Sequence, residues 1–178
     1  MGRMVLTVSC FILFLFPTIG CGQMASKEQQ VFSVTQDHLK LTLKKVSIAE
    51  IFDENRREEL QVDVWCFLER TDGKPINNED NVTLGGFSLV RDKSERIPYS
   101  NVASTMYQST SVPLEYKWLL GQEFQFSDNA RLFHGSLLVK KKDLANLSKL
   151  NIHIYMGLTN RDGNPEPFVF EDVRLPGR

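Results

Sequence analysis

The sequence has little cysteine, little histidine and no marked excess of charge of one sign. It holds three cysteines and three histidines among 178 residues, and its formal net charge at pH 7 is −1. This balance argues against a nucleic-acid-binding protein, which normally has a strongly basic surface. Hydrophobic residues make up 42% of the chain, which argues against disorder because such a chain has enough apolar surface to build a core. We therefore expect a folded domain without a nucleic-acid partner.

The chain also lacks an apolar run of the roughly 20 residues that span a bilayer. Its most apolar segment, residues 4–16, follows Arg3, which is the only charged residue before Lys27. A short basic start, an apolar stretch of about a dozen residues and small residues after it form the pattern of an export signal. The sequence therefore predicts that residues 1–20 are a signal peptide.

The four residues at the end of this segment, Thr18-Ile19-Gly20-Cys21, resemble the lipobox of bacterial lipoprotein precursors. Thr18 departs from that pattern, which usually has Leu at the same position. The resemblance implies cleavage before Cys21, a diacylglycerol on its thiol and, often, acylation of the new amino group. Two or three acyl chains hold a protein firmly to a membrane, whereas a single chain binds only marginally.

A lipid anchor would place the domain outside the cytoplasm, at the cell envelope. Gly22 follows the cysteine, and the lipoprotein resemblance implies that Asp there favours the inner membrane, so Gly22 favours the outer membrane. The alternative is an ordinary secretory signal cut near Gly20 or Ala25, which would release a soluble domain. Sequons at Asn81 and Asn146 would carry glycans only if the source is eukaryotic.

One thiol remains in the folded part of the mature chain. Cys10 lies in the signal and Cys21 would be lipidated, so Cys66 has no partner for an intramolecular disulfide. Because it lies in an apolar strand pattern, we interpret Cys66 as a small buried hydrophobic residue. Cleavage also removes Arg3, which leaves 20 basic and 22 acidic residues and a net charge of −2.

Alternation of apolar and polar residues with a period of two dominates after residue 31 and predicts β-strands. In residues 60–68 both faces are apolar near the middle, where Trp65 and Phe67 occur, so this strand is expected to be central, with its far face partly covered. Helix is scarce, with at most one or two short turns, at residues 50–59 and 143–149. Further strands are predicted at residues 39–43, 82–90, 106–112, 115–119, 122–126, 132–139, 150–156 and 168–173, with turns at Asp72-Gly73 and Asp162-Gly163.

The order of these features is similar to the telokin-like, immunoglobulin-like domain of bacterial extracytoplasmic lipoproteins, a family of largely unknown function. The resemblance covers roughly residues 39–173. It depends on the apolar strand at 60–68, on Gly86-Phe87-Ser88-Leu89-Val90-Arg91-Asp92 and on Gly135-Ser136-Leu137-Leu138-Val139. The chain departs from the family at Glu69-Arg70-Thr71, where Asn is frequent, and at Lys140-Lys141-Lys142, which replaces Val-Pro.

The strand pattern and this resemblance predict an all-β, immunoglobulin-like β-sandwich formed by residues 31–178 as a single domain. Residues 21–30 are polar and predict a flexible tether between the lipidated cysteine and the sandwich. The resemblance offers no catalytic residues to assign.

The residues that carry chemistry are not arranged in a recognisable motif. His38, His134 and His153 are not spaced as metal ligands, and His153 alternates with isoleucines as an exposed strand residue would. Ser88 follows a glycine but lacks the second glycine of a nucleophile elbow. We therefore expect no catalytic residue, no metal site and no cofactor.

Charged clusters are interpreted as solvated turns and surface ion pairs, which contribute little stability. Lys140-Lys141-Lys142 is interpreted as the end of a strand, with contact to anionic lipid or an envelope polymer as the alternative. The acidic clusters are Asp53-Glu54, Glu58-Glu59, Glu79-Asp80 and Asp162-Gly163-Asn164 with Glu166, and Arg56-Arg57 lies among the first two.

The leading hypothesis is a non-catalytic envelope lipoprotein, held to the membrane by acyl chains on Cys21, that binds an envelope protein or polymer. A second hypothesis is a structural accessory of a secretion or envelope machine. A secreted soluble domain is the third. An enzyme is the least favoured, and it would require a pocket that gathers His134 or His153 with carboxylates.

Overall fold

The computed structural model describes residues 32–92, 95–121, 127–157 and 166–176. Within these ranges the chain forms nine β-strands and two short α-helices. The strands are β1 (Phe32–Gln36), β2 (Leu39–Glu50), β3 (Glu59–Arg70), β4 (Gly86–Arg91), β5 (Glu95–Arg96), β6 (Asn101–Gln108), β7 (Arg131–Lys140), β8 (Lys149–Tyr155) and β9 (Phe168–Arg174). The helices are α1 (Leu114–Leu120) and α2 (Lys141–Leu144), and short 3-10 turns occur at Glu54–Arg56, Asn78–Asp80 and Ser109–Ser111.

The strands form two sheets in which every described pair is antiparallel. The strand order is β1-β2-β3-β7-β6 in the larger sheet and β5-β4-β8-β9 in the smaller one. An immunoglobulin sandwich has strands A-B-E-D in one sheet and C-F-G in the other. Here β2-β3-β7-β6 and β4-β8-β9 follow that order, β5 lies beside β4 in the C′ position, and β1 is an additional edge strand. The prediction of an all-β, immunoglobulin-like sandwich is confirmed.

The two sheets pack face to face around an apolar core, whose largest fully buried side chains are Phe133, Phe168 and Phe170. Gly135 lies on the inner face of β7, where a Cβ atom would be 2.4 Å from Cε1 of Phe87 on β4. The glycine leaves space for that ring, which packs edge-on against Phe133 with centroids 6.1 Å apart. The close approach of the sheets therefore depends on the absence of a side chain at position 135.

The register of β2 shifts by one residue in the middle of the strand. Its inward apolar positions are 39, 41 and 43 before the shift and 46 and 48 after it. Leu43 pairs with Cys66 and Lys45 pairs with Trp65, which leaves Lys44 as the extra residue of a β-bulge. Because side chains alternate with a period of two, the bulge keeps both halves of β2 facing the core. It also brings Lys44 and Lys45 together on the outer face.

The prediction of a strand at residues 115–119 is wrong, because this segment forms α1. Tyr116 and Leu120 are four residues apart and pack together on the sheet, which is a helical spacing. In so short a segment the same residues also fit an alternating pattern, and the pattern alone does not separate the two.

Other predicted boundaries shift by several residues. The strand expected at 106–112 is β6, which ends at Gln108, and the strand expected at 82–90 begins only at Gly86. The helical turns expected at 50–59 and 143–149 occur as the 3-10 turn Glu54–Arg56 and as α2. None of the described helices is long and apolar enough to cross a bilayer. Cys21, the tether, the strand predicted at 122–126 and the turn at Asp162-Gly163 lie outside the described residues.

Candidate functional site

A second hydrophobic cluster lies on the outer face of the five-stranded sheet, away from the core between the sheets. We call it the outer layer. β3 is covered on both faces, as its sequence predicted, since Trp65 and Phe67 are buried here while the alternate residues of the strand face the core. The outer layer consists of buried Trp65, Phe67, Val112 and Leu132, with Tyr107, Tyr116 and Leu120 packed against them.

Helix α1 covers the outer layer. Its inner side chains, Tyr116 and Leu120, contact the cluster. At its C-terminal end Gly121 adopts a φ of +91°, which favours glycine, and its N–H donates to the carbonyl of Trp118. The Lys45 ammonium donates to the carbonyl oxygen of Leu119 at 3.1 Å, so the β2 bulge holds this end of the helix.

The opposite side of α1 is apolar and exposed. Leu114, Trp118 and Leu119 are 72%, 75% and 43% exposed, and we call these three residues the α1 patch. Leu114 and Trp118 are one helical turn apart and lie side by side, whereas Leu119 is turned by about 100° and lies at the edge of the same exposed surface. Adjacent large apolar side chains in water usually mark a contact surface, whereas single ones are common on any protein.

A polar network lies beside Trp65 in the outer layer and connects β3, β7 and α1. Asp63 of β3 is 3.2 Å from Nε2 of His134 on β7, and Nδ1 of that histidine is 3.2 Å from the hydroxyl of Tyr116. Gln61 donates from Nε2 to both carboxylate oxygens of Asp63 at 3.0 Å. Since a carboxylate only accepts, Nε2 of the neutral imidazole carries the proton and Nδ1 accepts from Tyr116.

The electrostatics of this network favour an ionised carboxylate. Burial by itself raises the pKa of Asp63, but hydrogen bonds from His134, Gln61 and Ser136 outweigh it and lower the pKa below its usual value. Burial raises the pKa of the Tyr116 phenol, so Tyr116 stays protonated. The Asp63 carboxylate therefore stays ionised, and several donors compensate its charge.

Aromatic stacking fixes the histidine further. The His134 ring stacks on Trp65 with centroids 4.9 Å apart and an interplanar angle of 15°. The Tyr116 ring meets the same imidazole at 60°, also with centroids 4.9 Å apart. With both nitrogens engaged and one face covered, His134 is a fixed element that positions α1 through Tyr116.

Two lysines from the β2 bulge lie above the aromatic side chains of the outer layer. Lys44 Nζ is 5.3 Å from the centroid of Phe67, and Lys45 Nζ is 6.0 Å from that of Trp65. These distances fall within the range of cation–π contacts. The bulge therefore places two lysine ammonium groups over the aromatic side chains of the outer layer.

The sequence singled out His134 but missed its partners, Asp63 and Tyr116. The sequence did contain a signal for Asp63, because this residue lies on the same alternating face of β3 as Trp65 and Phe67. A carboxylate beside two large aromatic residues on a covered face requires a hydrogen-bonding partner. Tyr116 was assigned to a strand, which removed it from consideration.

A second histidine belongs to a different buried cluster. His38 and Arg70 both contact the carboxylate of Asp80, whose side chain is 2% exposed. Burial raises the pKa of Asp80, but the backbone N–H of Asn77, the hydrogen bond from His38 and the Arg70 charge lower it overall. The interpretation of Glu79-Asp80 as a solvated turn is therefore wrong for Asp80. This cluster fastens the loop that follows β3 to the turn between β1 and β2.

The other residues considered from the sequence, His153, Ser88 and Cys66, do not form a site with one another. His153 is half-buried on the outer face of β8, and burial, followed by the charge of Arg96, lowers its pKa. Ser88 is buried in β4. Cys66 is buried in the core as predicted, and burial raises the pKa of its thiol well above the usual value.

The charged loops predicted to be solvated surround a shallow groove of ≈ 440 Å³ at one end of the sandwich. Three carboxylates and three basic side chains line the groove, so their charges balance. Lys141, from the lysine run, pairs with Glu50 at 3.1 Å, and both side chains are partly exposed. The groove is lined by Glu54, Asn55, Arg56, Arg57, Glu58, Glu59, Ser100 and Lys140.

No three His, Cys, Asp or Glu residues in the described part of the chain lie together in an arrangement suited to a metal ion. No family model, curated protein or solved structure matches this chain.

Proposed function

We propose that the protein is an extracytoplasmic lipoprotein, anchored through Cys21, whose immunoglobulin-like sandwich is a non-catalytic binding module. The α1 patch is its contact surface. The observation that carries this proposal is the exposure of Leu114, Trp118 and Leu119 on a helix that is itself firmly seated. A fixed, exposed aromatic residue beside aliphatic neighbours is the composition of an interaction surface.

The polar network favours binding over catalysis. A general base needs a free lone pair within reach of the substrate. The His134 side chain is 16% exposed, its Nε2 faces Asp63, and its Nδ1 faces Tyr116, a residue of the helix. The network thus resembles part of a triad in composition, but its geometry serves to position α1.

The sequence supports the anchor. The apolar segment, the lipobox-like residues ending at Cys21 and the polar tether precede β1 in the order of a lipoprotein precursor. Intact mass spectrometry of the mature amino end provides the test. We expect diacylglycerol on Cys21, whereas an unmodified terminus at Ala25 or elsewhere would favour the secreted-domain alternative.

Photo-crosslinking in cells tests the contact surface. A photoreactive amino acid is placed at position 118 or, as a control, at position 52, where Phe52 is an isolated, fully exposed side chain far from α1 in sequence. We expect adducts from position 118 and none from position 52. Equal labelling at both positions, or none at either, would contradict a contact surface at α1.

A further inference from the structure

We propose that the α1 patch contacts the lipid bilayer that carries the Cys21 anchor, so that the outer layer of the sandwich faces the membrane. This inference rests on the proposed function and names the partner of the same surface. Three observations carry it: where the tether leaves the sandwich, how long the tether is, and which side chains surround α1.

The predicted tether joins the described chain at Phe32, the first residue of β1. Phe32, the first described residue, pairs with Leu43 across the edge of the sheet. The two residues after Leu43 are the bulge lysines, and Lys45 contacts the C-terminal end of α1 through the Leu119 carbonyl. Because neighbouring strands are about 4.8 Å apart, the start of β1 lies only one strand away from the segment that holds the helix.

The tether is short enough to keep this side of the domain near the membrane. Cys21 precedes Phe32 by 11 residues. Such a segment spans at most about 40 Å when fully extended and less in any other conformation. A second contact made by the same domain is then intramolecular, at an effective concentration in the millimolar range, so a weak contact suffices.

The side chains around the α1 patch suit a lipid interface. Tryptophan and leucine lie at the boundary of headgroups and acyl chains, where the indole N–H stays hydrated. Among the described residues, Lys117 lies on the helix and Lys45 lies at its C-terminal end, against one carboxylate on α1, Glu115. Long lysine side chains reach the headgroups while their methylenes cover apolar surface. This excess of positive charge matches an anionic bilayer.

The size of the patch favours lipid over a protein partner. A stable protein interface buries roughly 1,000 Å² or more, with a packed centre and a polar rim. Three side chains on a two-turn helix do not supply that area alone. For a domain that its acyl chains already hold at the membrane, a weak second contact is sufficient to orient it against the bilayer.

The test uses the two tryptophans of the chain, one in the patch and one beneath the helix. Trp118 is 75% exposed and Trp65 is 3% exposed. The mature chain, which begins at Cys21 and lacks Cys10, is coupled at Cys21 to a maleimide-bearing phospholipid in vesicles of phosphatidylcholine and phosphatidylglycerol. Cys66 is buried and does not compete for the maleimide. Phospholipids brominated close to the headgroup then quench any tryptophan at the interface.

We expect the emission of Trp118 to shift to shorter wavelength and to be quenched. In Trp118→Phe only Trp65 emits, and its emission should be unaffected by bromine. The double variant Leu114→Ser/Leu119→Ser should lower the equilibrium constant for membrane contact, measured by quenching of Trp118, by at least about tenfold, because two leucines no longer enter the bilayer interface. Phe52→Ser, which removes an exposed apolar residue outside the patch, should leave quenching unchanged.

Unquenched, solvent-exposed Trp118 in the coupled protein would overturn the proposal. Quenching that survives in the double leucine variant would also overturn it. The lipid is coupled chemically in this experiment, so neither result depends on whether cells lipidate Cys21. Mass spectrometry of the mature amino end answers that separate question. Protein adducts instead of lipid adducts from the photoreactive residue at position 118 would assign the patch to a protein partner and overturn the lipid assignment.

Discussion

The five-stranded sheet separates two hydrophobic regions that differ in composition. On its inner side, the core shared with the four-stranded sheet is built from aliphatic and phenylalanine side chains and one thiol. On its outer side, the outer layer contains Trp65 and two tyrosines and borders the buried Asp63–His134–Tyr116 network. The inner core contains closely packed apolar groups and determines the fold. The outer layer contains directional contacts and determines where one helix sits.

The largest expected effect is in the inner core. Phe133 is fully buried between the sheets, so Phe133→Ala should lower the free energy of unfolding by about 3–5 kcal/mol. Urea denaturation followed by circular dichroism measures this change. A loss below about 1 kcal/mol would mean that the inner core does not dominate stability.

A gain of one methyl group in the same core should also be costly. In Gly135→Ala the new Cβ would lie 2.4 Å from Cε1 of Phe87, a ring fixed between the sheets. We expect a loss of about 3 kcal/mol, at the upper end for overpacked cores. The double variant Gly135→Ala/Phe87→Leu should recover part of it, and an absence of recovery would place the strain elsewhere.

Removal of the carboxylate at the outer layer should cost less and should alter the pH dependence of stability. Asp63→Asn removes the carboxylate that accepts from His134 and Gln61, with an expected loss of about 1–2 kcal/mol near pH 7. Because the folded pKa of Asp63 is lowered, its contribution is complete above the unfolded pKa of about 3.9. That contribution disappears as the pH falls through the lower, folded pKa.

Measurements of the free energy of unfolding between pH 7 and pH 2, for Asp63→Asn and the unsubstituted chain, test this contribution. Below about pH 4 the stabilities of Asp63→Asn and the unsubstituted chain should converge. A constant difference between pH 7 and pH 2 would show that Asp63 acts through packing alone. Hydrogen exchange of the α1 amides should accelerate in Asp63→Asn, because Asp63 no longer holds His134, the hydrogen-bonding partner of Tyr116.

The smallest effect is expected at the surface. Trp118→Ala should change stability by less than about 0.5 kcal/mol, because the side chain is largely exposed. Trp65→Ala, at a buried position, should cost about 3–5 kcal/mol and serves as the matched comparison. A large loss from Trp118→Ala would mean that the α1 patch is part of the fold and is not a contact surface.

The periodicity of apolar residues in the sequence was sufficient to predict the strands of the sandwich, but it was not sufficient to predict helix α1. Strands such as β3, β7 and β8 alternate over many residues, so a shift of one or two residues leaves the pattern intact. In α1 only Tyr116 and Leu120 face the sheet, and two apolar residues four apart satisfy periods of two and of 3.6 alike. The helix therefore depends on tertiary packing, which a local pattern does not contain.

The polar network was hidden for a similar reason. Asp63, Tyr116 and His134 are far apart in the sequence, and each has an ordinary local context. They meet because β3 pairs with β7 in one register and because α1 folds back over both strands. Only the pairing of Val64 with Gly135 and of Trp65 with His134 brings the carboxylate within reach of the imidazole.

Because of the bulge at Lys44, the inward orientation of both halves of β2 depends on the number of residues in the strand. It does not depend on which amino acid is present at position 44. Substitution of this residue leaves the alternation on either side unchanged. Deletion would turn one half of the strand over, so that either positions 39, 41 and 43 or positions 46 and 48 would face water. Related chains should therefore tolerate a change of residue type at this position better than a change in the length of β2, so gaps within β2 should be rare.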